Sequence, residues 1–213
     1  KIRRAPFKID RGLRVAAAAV APTGELFVIG WRGDPEQPSA VVQRWRPDGP
    51  FKGELHDFGT DVRIDRLAVG AGDDAYVGGT QGDGERAWLA RFDGVTWSEV
   101  PAPSGKEVRD LAVTGDGALW AVVNLEAGEY LTSESVPTAL LRRAAQGQWE
   151  PVLMPELALA PASWWSYSIV GAPRRVTERR QATDAPQPVK PRAVFAGTAG
   201  DVWVTGGLGD WDL

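Results

Sequence analysis

Cysteine is absent from this chain, and histidine occurs only once. The lack of cysteine excludes disulfides, thiolate nucleophiles, iron–sulfur clusters and thiolate zinc sites. It leaves the compartment open, because bacterial envelope proteins can also lack cysteine. Imidazole metal sites normally use two or three histidines, so His56 alone supports neither such a site nor a Ser-His-Asp triad. We expect His56, at the end of a strand, to be structural.

The chain also lacks a long apolar run and a strong charge of one sign. Of its 213 residues 43% are hydrophobic, and the net charge is −4. No stretch reaches the roughly 20 apolar residues of a transmembrane helix. Lys1, Arg3 and Arg4 are followed by no apolar segment, so no targeting signal is visible. Arginine greatly outnumbers lysine, which is typical of a high-GC bacterial genome.

What the chain does have is a repeat. Four segments share one apolar pattern, and each follows a tight turn that carries Gly or Asp: residues 26–30, 75–79, 119–123 and 202–206. The second residue of each segment is aromatic, and we call these residues the aromatic anchors: Phe27, Tyr76, Trp120 and Trp203. A period near 45 residues predicts one small antiparallel sheet per repeat, which must stack on its neighbours to bury its faces. This is the pattern of a β-propeller.

A second phrase follows the anchor in the first three repeats. It has apolar-polar alternation and an arginine, with a Gly-containing turn after it, at residues 42–45, 89–92 and 141–144. The turns at Asp48-Gly49 and Asp93-Gly94 favour a hairpin between a third and a fourth strand. We therefore expect four strands per blade. The tryptophans at these repeated positions, Trp97, Trp120, Trp149 and Trp203, are expected to fill the spaces between sheets.

These phrases predict an all-β, partial β-propeller domain over residues 1–213, with about three and a half four-stranded blades. The expected blades are residues 15–56, 64–101 and 108–155, a half blade at 192–206, and an inserted loop at 156–190. Residues 1–10 are a candidate closing strand. We expect the ring to be completed by missing sequence or by a partner chain, because an open blade leaves a sheet edge unpaired.

The loops between second and third strands each carry a Gly followed by an acid. In a propeller these loops share one rim, which would gather four carboxylates and two tryptophans as a candidate ligand site: Asp34, Asp83, Glu129, Asp210, Trp31 and Trp211. Such a rim could hold Ca²⁺, attract a basic partner or stack on a sugar. The alternative is ordinary turn chemistry that keeps the loops soluble. No dedicated calcium-loop spacing occurs, so no metal site is assigned.

The insertion carries a candidate partner-binding surface of aromatic and basic residues: Trp164, Trp165, Arg174 and Arg175. Rings that stack beside cations suit an anionic glycan or a nucleic acid. The acidic balance of the chain argues against a nucleic-acid partner. A neighbouring protein surface is the favoured interpretation.

Residues 110–120, which end in Asp116-Gly117-Ala118-Leu119-Trp120, and the later Leu-x-Arg hairpin resemble the blade repeat of bacterial sensor-type propellers. They are also similar to Trp-rich surface propeller repeats of high-GC Gram-negative bacteria. The hairpin at residues 91–97 resembles a degenerate Asp-box of sialidases. These are folding motifs, so the resemblance implies a fold and carries over no catalytic residue.

Together these features predict a non-catalytic binding or scaffold propeller of the bacterial cell envelope or exterior, whether periplasmic, outer-surface or secreted. It would engage a protein or a glycan through one rim, without an obligatory cofactor. Two alternatives stay open. One is a propeller enzyme, a glycan hydrolase or lyase that uses rim carboxylates. The other is an architectural subunit of a large complex.

Overall fold

The computed structural model describes residues 7–49, 52–72, 74–125, 137–145, 147–154, 156–157, 164–166, 174–176, 187–188, 190–197 and 201–207. In these residues every regular element is a β-strand. No helix there has the length and hydropathy to span a bilayer.

The described strands form three four-stranded antiparallel sheets in simple sequential order, which are the blades of a propeller. Blade 1 consists of β1 (Arg14–Val20), β2 (Leu26–Gly33), β3 (Pro38–Trp45) and β4 (Glu54–Gly59). Blade 2 consists of β5 (Val62–Val69), β6 (Ala75–Gln81), β7 (Arg86–Phe92) and β8 (Trp97–Glu99). Blade 3 consists of β9 (Glu107–Val113), β10 (Leu119–Asn124), β11 (Thr138–Arg143) and β12 (Trp149–Pro151).

After blade 3 the chain makes an excursion and then begins a fourth blade. The excursion contains two nested antiparallel pairs. The outer pair is β13 (Glu156–Leu157) with β16 (Gln187–Pro188), and the inner pair is β14 (Trp164–Ser166) with β15 (Arg174–Val176). The half blade is β17 (Lys190–Ala196) paired with β18 (Val202–Gly207). Within the described ranges the ring of blades is not closed.

The aromatic anchors occupy equivalent places in the four sheets, as the sequence predicts. Each anchor on the second strand pairs across the sheet with a residue eight positions earlier on the first strand: Phe27 with Ala19, Tyr76 with Ala68, Trp120 with Ala112, and Trp203 with Phe195. The turns between these strands also share one backbone hydrogen bond, at 2.7–2.9 Å in all four. The repeat is therefore structural and not only a similarity of letters.

Each first strand also carries one extra residue, a β-bulge, at the same place in the repeat. The residues skipped by the pairing are Ala16, Asp65, Arg109 and Arg192. A bulge bends its strand and increases the local twist. The first strands contact one another in series, β1 with β5, β5 with β9, and β9 with β17. They therefore lie innermost, around the propeller axis.

Three apolar clusters lie between consecutive sheets. The first joins Phe27 and Ile29 of blade 1 to Val77 and Trp88 of blade 2. The second lies between blades 2 and 3, and the third joins blade 3 to Val194 and Val204 of the half blade. The anchors face the following blade, so each sheet is stabilised mainly by its neighbour, as expected for stacked repeats.

Three of the four tryptophans expected between sheets are confirmed there. Trp97 of blade 2 lies 6.3 Å from Phe27 and 5.6 Å from Phe58, both of blade 1. Trp149 packs against the second cluster, and its Nε1 donates to Pro101 O at 2.9 Å. Trp120 packs against the third cluster. Trp203 is half-buried on the face of the half blade that would meet a further sheet.

The hairpin turn after β7 shows why Asp-Gly recurs in the repeats. The carboxylate of Asp93 accepts hydrogen bonds from Val95 N at 2.9 Å and Thr96 N at 2.8 Å. These bonds lower the pKa of Asp93. Gly94 adopts a φ of 96°, which other residues rarely reach.

The start of the chain corrects one expectation. Residues 7–10 form no strand, so this part of the expected closing strand is wrong. Instead, the buried Gln43 side chain of β3 holds the segment: it accepts from Asp10 N at 3.0 Å and donates to Lys8 O at 3.2 Å. The same amide donates to Lys52 O at 2.5 Å. The segment is therefore fixed to blade 1 by the buried Gln43 amide, which must satisfy its donors and acceptor, and by the ring of Phe7, which lies 5.4 Å from that of Trp45.

Candidate functional site

The loops that follow the second strands lie on one rim of the propeller, which we call the Trp31 rim. In blade 1 the pairing of β2 and β3 ends at Gly33 and Pro38, and in blade 2 that of β6 and β7 ends at Gln81 and Arg86. In blade 3 the pairing of β10 and β11 ends at Asn124 and Thr138. These three loops leave the sheets at the same end.

Trp31 is half-buried at the end of β2, and the loop that follows it is exposed. Within this loop Asp34 accepts a hydrogen bond from Glu36 N at 2.9 Å. The backbone carbonyl of Asp34 also accepts from Gln37 N. One carboxylate oxygen of Asp34 therefore closes its own turn, as the turn-chemistry alternative predicts.

The corresponding loop of blade 2 is held at its base by a polar network. Gln81 donates to Asp61 at 2.9 Å and accepts from Arg86 at 2.5 Å. Gly82 and Gly84 take positive φ of 63° and 81°, which makes a tight tip. Asp83 stands at this tip and is exposed. Its carboxylate is thus presented to solvent on a loop with a fixed base.

Glu129, Asp210 and Trp211 lie outside the described residues. Among the residues that are described, no three His, Asp or Glu side chains form a group that could hold a metal ion. The structure thus places two of the four predicted acids, and Trp31, on one rim without bringing three carboxylates together there.

The aromatic and basic residues of the insertion are brought together by backbone pairing. In the β14–β15 pair, Trp164 lies opposite Val176, Trp165 opposite Arg175, and Ser166 opposite Arg174. The predicted partner-binding residues are therefore cross-strand neighbours in one short ladder. Their role in binding stays a prediction.

The opposite rim holds an arrangement that the sequence analysis missed. In each complete blade an arginine of the third strand lies across from the anchor with its guanidinium over the ring: 6.0 Å from Arg44 to Phe27, 6.0 Å from Arg91 to Tyr76, and 5.7 Å from Arg142 to Trp120. An acid of the turn before the anchor faces that arginine. We call each such group an arginine stack.

The acid of the arginine stack differs in exposure from blade to blade. Arg44 binds Glu25 through two nitrogens, at 3.0 and 2.5 Å, with both side chains buried. Arg91 binds Asp74 at 2.7 Å with both side chains partly exposed. In blade 3 the charge of Arg142 acts on Asp116, whose pKa is lowered mainly by a hydrogen bond from Thr114. The signal was present in the sequence, since an arginine recurs in each third strand.

The innermost strands carry two polar contacts between blades at their bulges. Arg66 of β5 donates to the carbonyl of Arg109, the bulged residue of β9. Asp110 of β9 accepts from Val194 N of β17 at 2.8 Å. Burial raises the pKa of the Asp110 carboxyl, while this hydrogen bond and the charge of Arg66 oppose the rise. These contacts satisfy backbone groups between sheets, so Asp110 is positioned as a structural acceptor.

His56 is structural, as its isolation in the sequence predicts. Its ring lies 4.5 Å from that of Phe58 and 6.3 Å from that of Trp97. Burial lowers its pKa, and the charge of Asp57 partly opposes this. The ring therefore belongs to the aromatic cluster between blades 1 and 2.

No protein-family model matches the chain, and no curated protein sequence matches it. One similar solved structure is a gluconolactonase from Xanthomonas campestris, at 17% identity and a TM-score of 0.47, covering 92% of this chain and 56% of that one. Another is a putative glycoside hydrolase from Parabacteroides distasonis, at 10% identity and a TM-score of 0.38, covering 91% and 67%. This chain thus spans 56% of the length of that gluconolactonase. The resemblance to bacterial repeat propellers extends to the blade architecture, and no repeat family is detected.

Proposed function

We propose that this propeller is a non-catalytic binding module that engages a protein or a glycan through the Trp31 rim. The observation that carries the proposal is the position of Trp31, half-buried at the rim while Trp45 and Trp88 are 4% exposed in the sheets. A flat indole beside exposed carboxylates suits a sugar face or a cationic or aromatic side chain. The exposed tips that carry Asp34 and Asp83 support the same rim.

The test uses two probes, an oligosaccharide array and a lysine-rich peptide, with purified protein. We expect Trp31→Ala to weaken binding about tenfold, which is typical of an aromatic residue central to an interface. The double variant Asp34→Asn/Asp83→Asn should slow association with the cationic peptide and reduce its salt dependence. Val95→Ala is the control, because Val95 is 81% exposed in a hairpin loop on the opposite rim.

If Trp31→Ala leaves binding unchanged and Val95→Ala weakens it, the binding site lies on the opposite rim. Hydrolysis or elimination of an arrayed glycan that is lost in the Asp34→Asn/Asp83→Asn variant would favour the enzyme alternative. Calcium at the rim is tested by melting, since a ligand that binds only the folded state raises the melting temperature. The proposed compartment is the cell envelope or exterior.

A further inference from the structure

The half blade carries two of the three parts of an arginine stack. Trp203 lies at the anchor position, and Asp201 precedes β18 by one residue, as Glu25 precedes β2 and Asp74 precedes β6. The turn bonds agree: Gly197 N donates to Asp201 O at 2.7 Å, as Ala21 N does to Glu25 O at 2.8 Å. The acid and the aromatic ring are therefore set in the register seen in blades 1 and 2; in blade 3 the equivalent position is Ala118.

The third part of the stack is absent from the described residues, where β18 pairs only with β17. The face that an arginine would cover is open there: Phe195, opposite Trp203, is 56% exposed, and Asp201 and Thr205 are exposed. In blades 1 and 2 the anchors at this position, Phe27 and Tyr76, are 0% and 4% exposed between the arginine and the following blade, and Trp120 of blade 3 is half-buried like Trp203. Among the described residues the unpaired edge of β18 and the exposed face beside Trp203 therefore lie next to each other.

The complete blades show what chemistry fills that place. The arginine lies opposite the anchor, and the residue two positions before it is apolar and buried: Val42 at 1%, Leu89 at 0% and Leu140 at 3% exposure. The cross-strand partners of these residues are Ile29, Gly78 and Val122, two positions after the anchor. The equivalent residue in β18 is Thr205. A third strand paired with β18 in this register would therefore carry an apolar residue, then any residue, then an arginine.

We propose that the edge of β18 binds an extended segment of a partner chain, with an arginine opposite Trp203 and an apolar residue opposite Thr205. The arginine lies over Trp203 and pairs with Asp201, and the backbone adds a third antiparallel strand to the half blade. The arginine-bearing third strands of blades 1–3 already belong to their own sheets, so none of them occupies this edge. The charge of Asp201 selects arginine over a neutral residue of similar size.

The test uses a fluorescently labelled peptide with the sequence of β7, Arg86–Phe92, and a second peptide that carries Arg91→Gln. In the proposed register Arg91 lies opposite Trp203 and Leu89 opposite Thr205. Fluorescence anisotropy should show the Gln peptide binding about 5- to 10-fold more weakly, because it loses a charge-assisted pair. Hydrogen exchange at the amides of β18 should slow when the Arg peptide binds.

The matched protein variants are Asp201→Asn, which keeps the backbone turn, and Asp48→Asn, which removes an equal charge from a loop on the same rim. Asp201→Asn should weaken binding of the Arg peptide about as much as the Arg91→Gln change in the peptide does. It should leave binding of the Gln peptide unchanged. Asp48→Asn should change the binding of neither peptide. Equal binding of both peptides by the unmodified protein would overturn the proposal. The proposal would also be overturned if the protein self-associates in analytical sedimentation and the β18 amides are then protected from hydrogen exchange without peptide. A second copy would in that case cover the edge.

Discussion

The arginine stacks show how one residue pair changes its energetic role with burial. Arg44 and Glu25 are a bidentate pair with side chains 8% and 9% exposed, and Arg44 Cζ also lies 4.4 Å from the ring centre of Phe92. Glu25→Gln leaves a buried guanidinium with an incomplete partner, although Glu54 lies 3.6 Å from Arg44. We expect a loss of about 3 kcal/mol in the free energy of unfolding, measured by urea denaturation.

Asp74→Asn is the matched control, because Asp74 pairs with Arg91 at the equivalent place. Their side chains are 38% and 40% exposed, so the expected loss is below about 1 kcal/mol. Equal losses in the two variants would show that burial does not govern these pairs.

His56 gives a prediction for pH. Because burial lowers its pKa in the folded state, the folded protein binds the proton less tightly than the unfolded chain. The contribution of His56 to stability is therefore present at pH 7.5, and it is lost progressively as the pH falls below the unfolded pKa of about 6.5 toward the lower folded pKa. We expect His56→Gln to show a smaller drop in melting temperature between pH 7.5 and 5.5 than the unmodified protein. An identical drop would contradict this.

At this scale the sequence predicted the structural role of His56 and the packing of Trp97, Trp120 and Trp149. It did not predict the arginine stacks, although their residues stand in plain repeats. The reason is that a stack joins the turn before the second strand to a residue on the third strand. Only the register of the sheet shows that Arg44 and Glu25 meet.

The first two strands of a blade approach closely at the bulge, and this explains two glycines. A Cβ added to Gly30 would lie 1.9 Å from Arg14 O, and one added to Gly79 would lie 1.9 Å from Arg63 O. Either contact requires the first strand to move. We therefore expect Gly79→Ala to lower the free energy of unfolding by about 1–3 kcal/mol.

Gly72→Ala serves as the control for this prediction. Nothing lies within 4 Å of a Cβ at Gly72, and its φ is not positive. The same substitution there should be neutral or stabilise by about 0.4–1 kcal/mol through the unfolded chain. A neutral Gly79→Ala in chemical denaturation would contradict the close approach.

At the element scale the strands were predictable because turn residues and alternation mark each one. The bulges were not. Their extra residues are Ala16, Asp65, Arg109 and Arg192, an apolar residue, an acid and two bases, so no single residue type marks the position. Their common cause is the twist of the inner strand within its blade, and a sequence window contains no such information.

The interfaces between blades are stabilised by a few polar contacts as well as by apolar packing. Asp110 accepts from Val194 N across the third interface, and burial raises its pKa. A carboxyl with a raised folded pKa lowers stability as the pH rises above its unfolded value of about 3.9. Asp110→Asn keeps an acceptor for Val194 and removes the charge. We expect its stability relative to the unmodified protein to increase from pH 3.5 to pH 7 in urea denaturation.

Asp110→Ala is the companion variant for the hydrogen bond itself. It leaves Val194 N without its acceptor, and we expect a loss of about 1–3 kcal/mol at pH 7. If Asn and Ala variants behave alike at both pH values, Asp110 is not the acceptor that joins blade 3 to the half blade.

For the whole molecule, the sequence predicted the repeat, the strand order and the shared rim of Trp31, Asp34 and Asp83. It did not predict the contacts that join blades, because Arg66 with Arg109, and Asp110 with Val194, are 43 and 84 residues apart. It also misassigned residues 7–10, which are attached through the side chain of Gln43 and the ring contact of Phe7 with Trp45. Contacts of this kind become visible only when neighbouring sheets are placed side by side.

The outer strand pair of the excursion has a practical consequence. Glu156 and Pro188 are partners across an antiparallel ladder, so the chain leaves the propeller and returns to it at adjacent points. Residues 158–186 can therefore be replaced by a short turn or a foreign domain while the blades on either side keep their spacing. The molecule thus provides a natural grafting site for a reporter or a second recognition module.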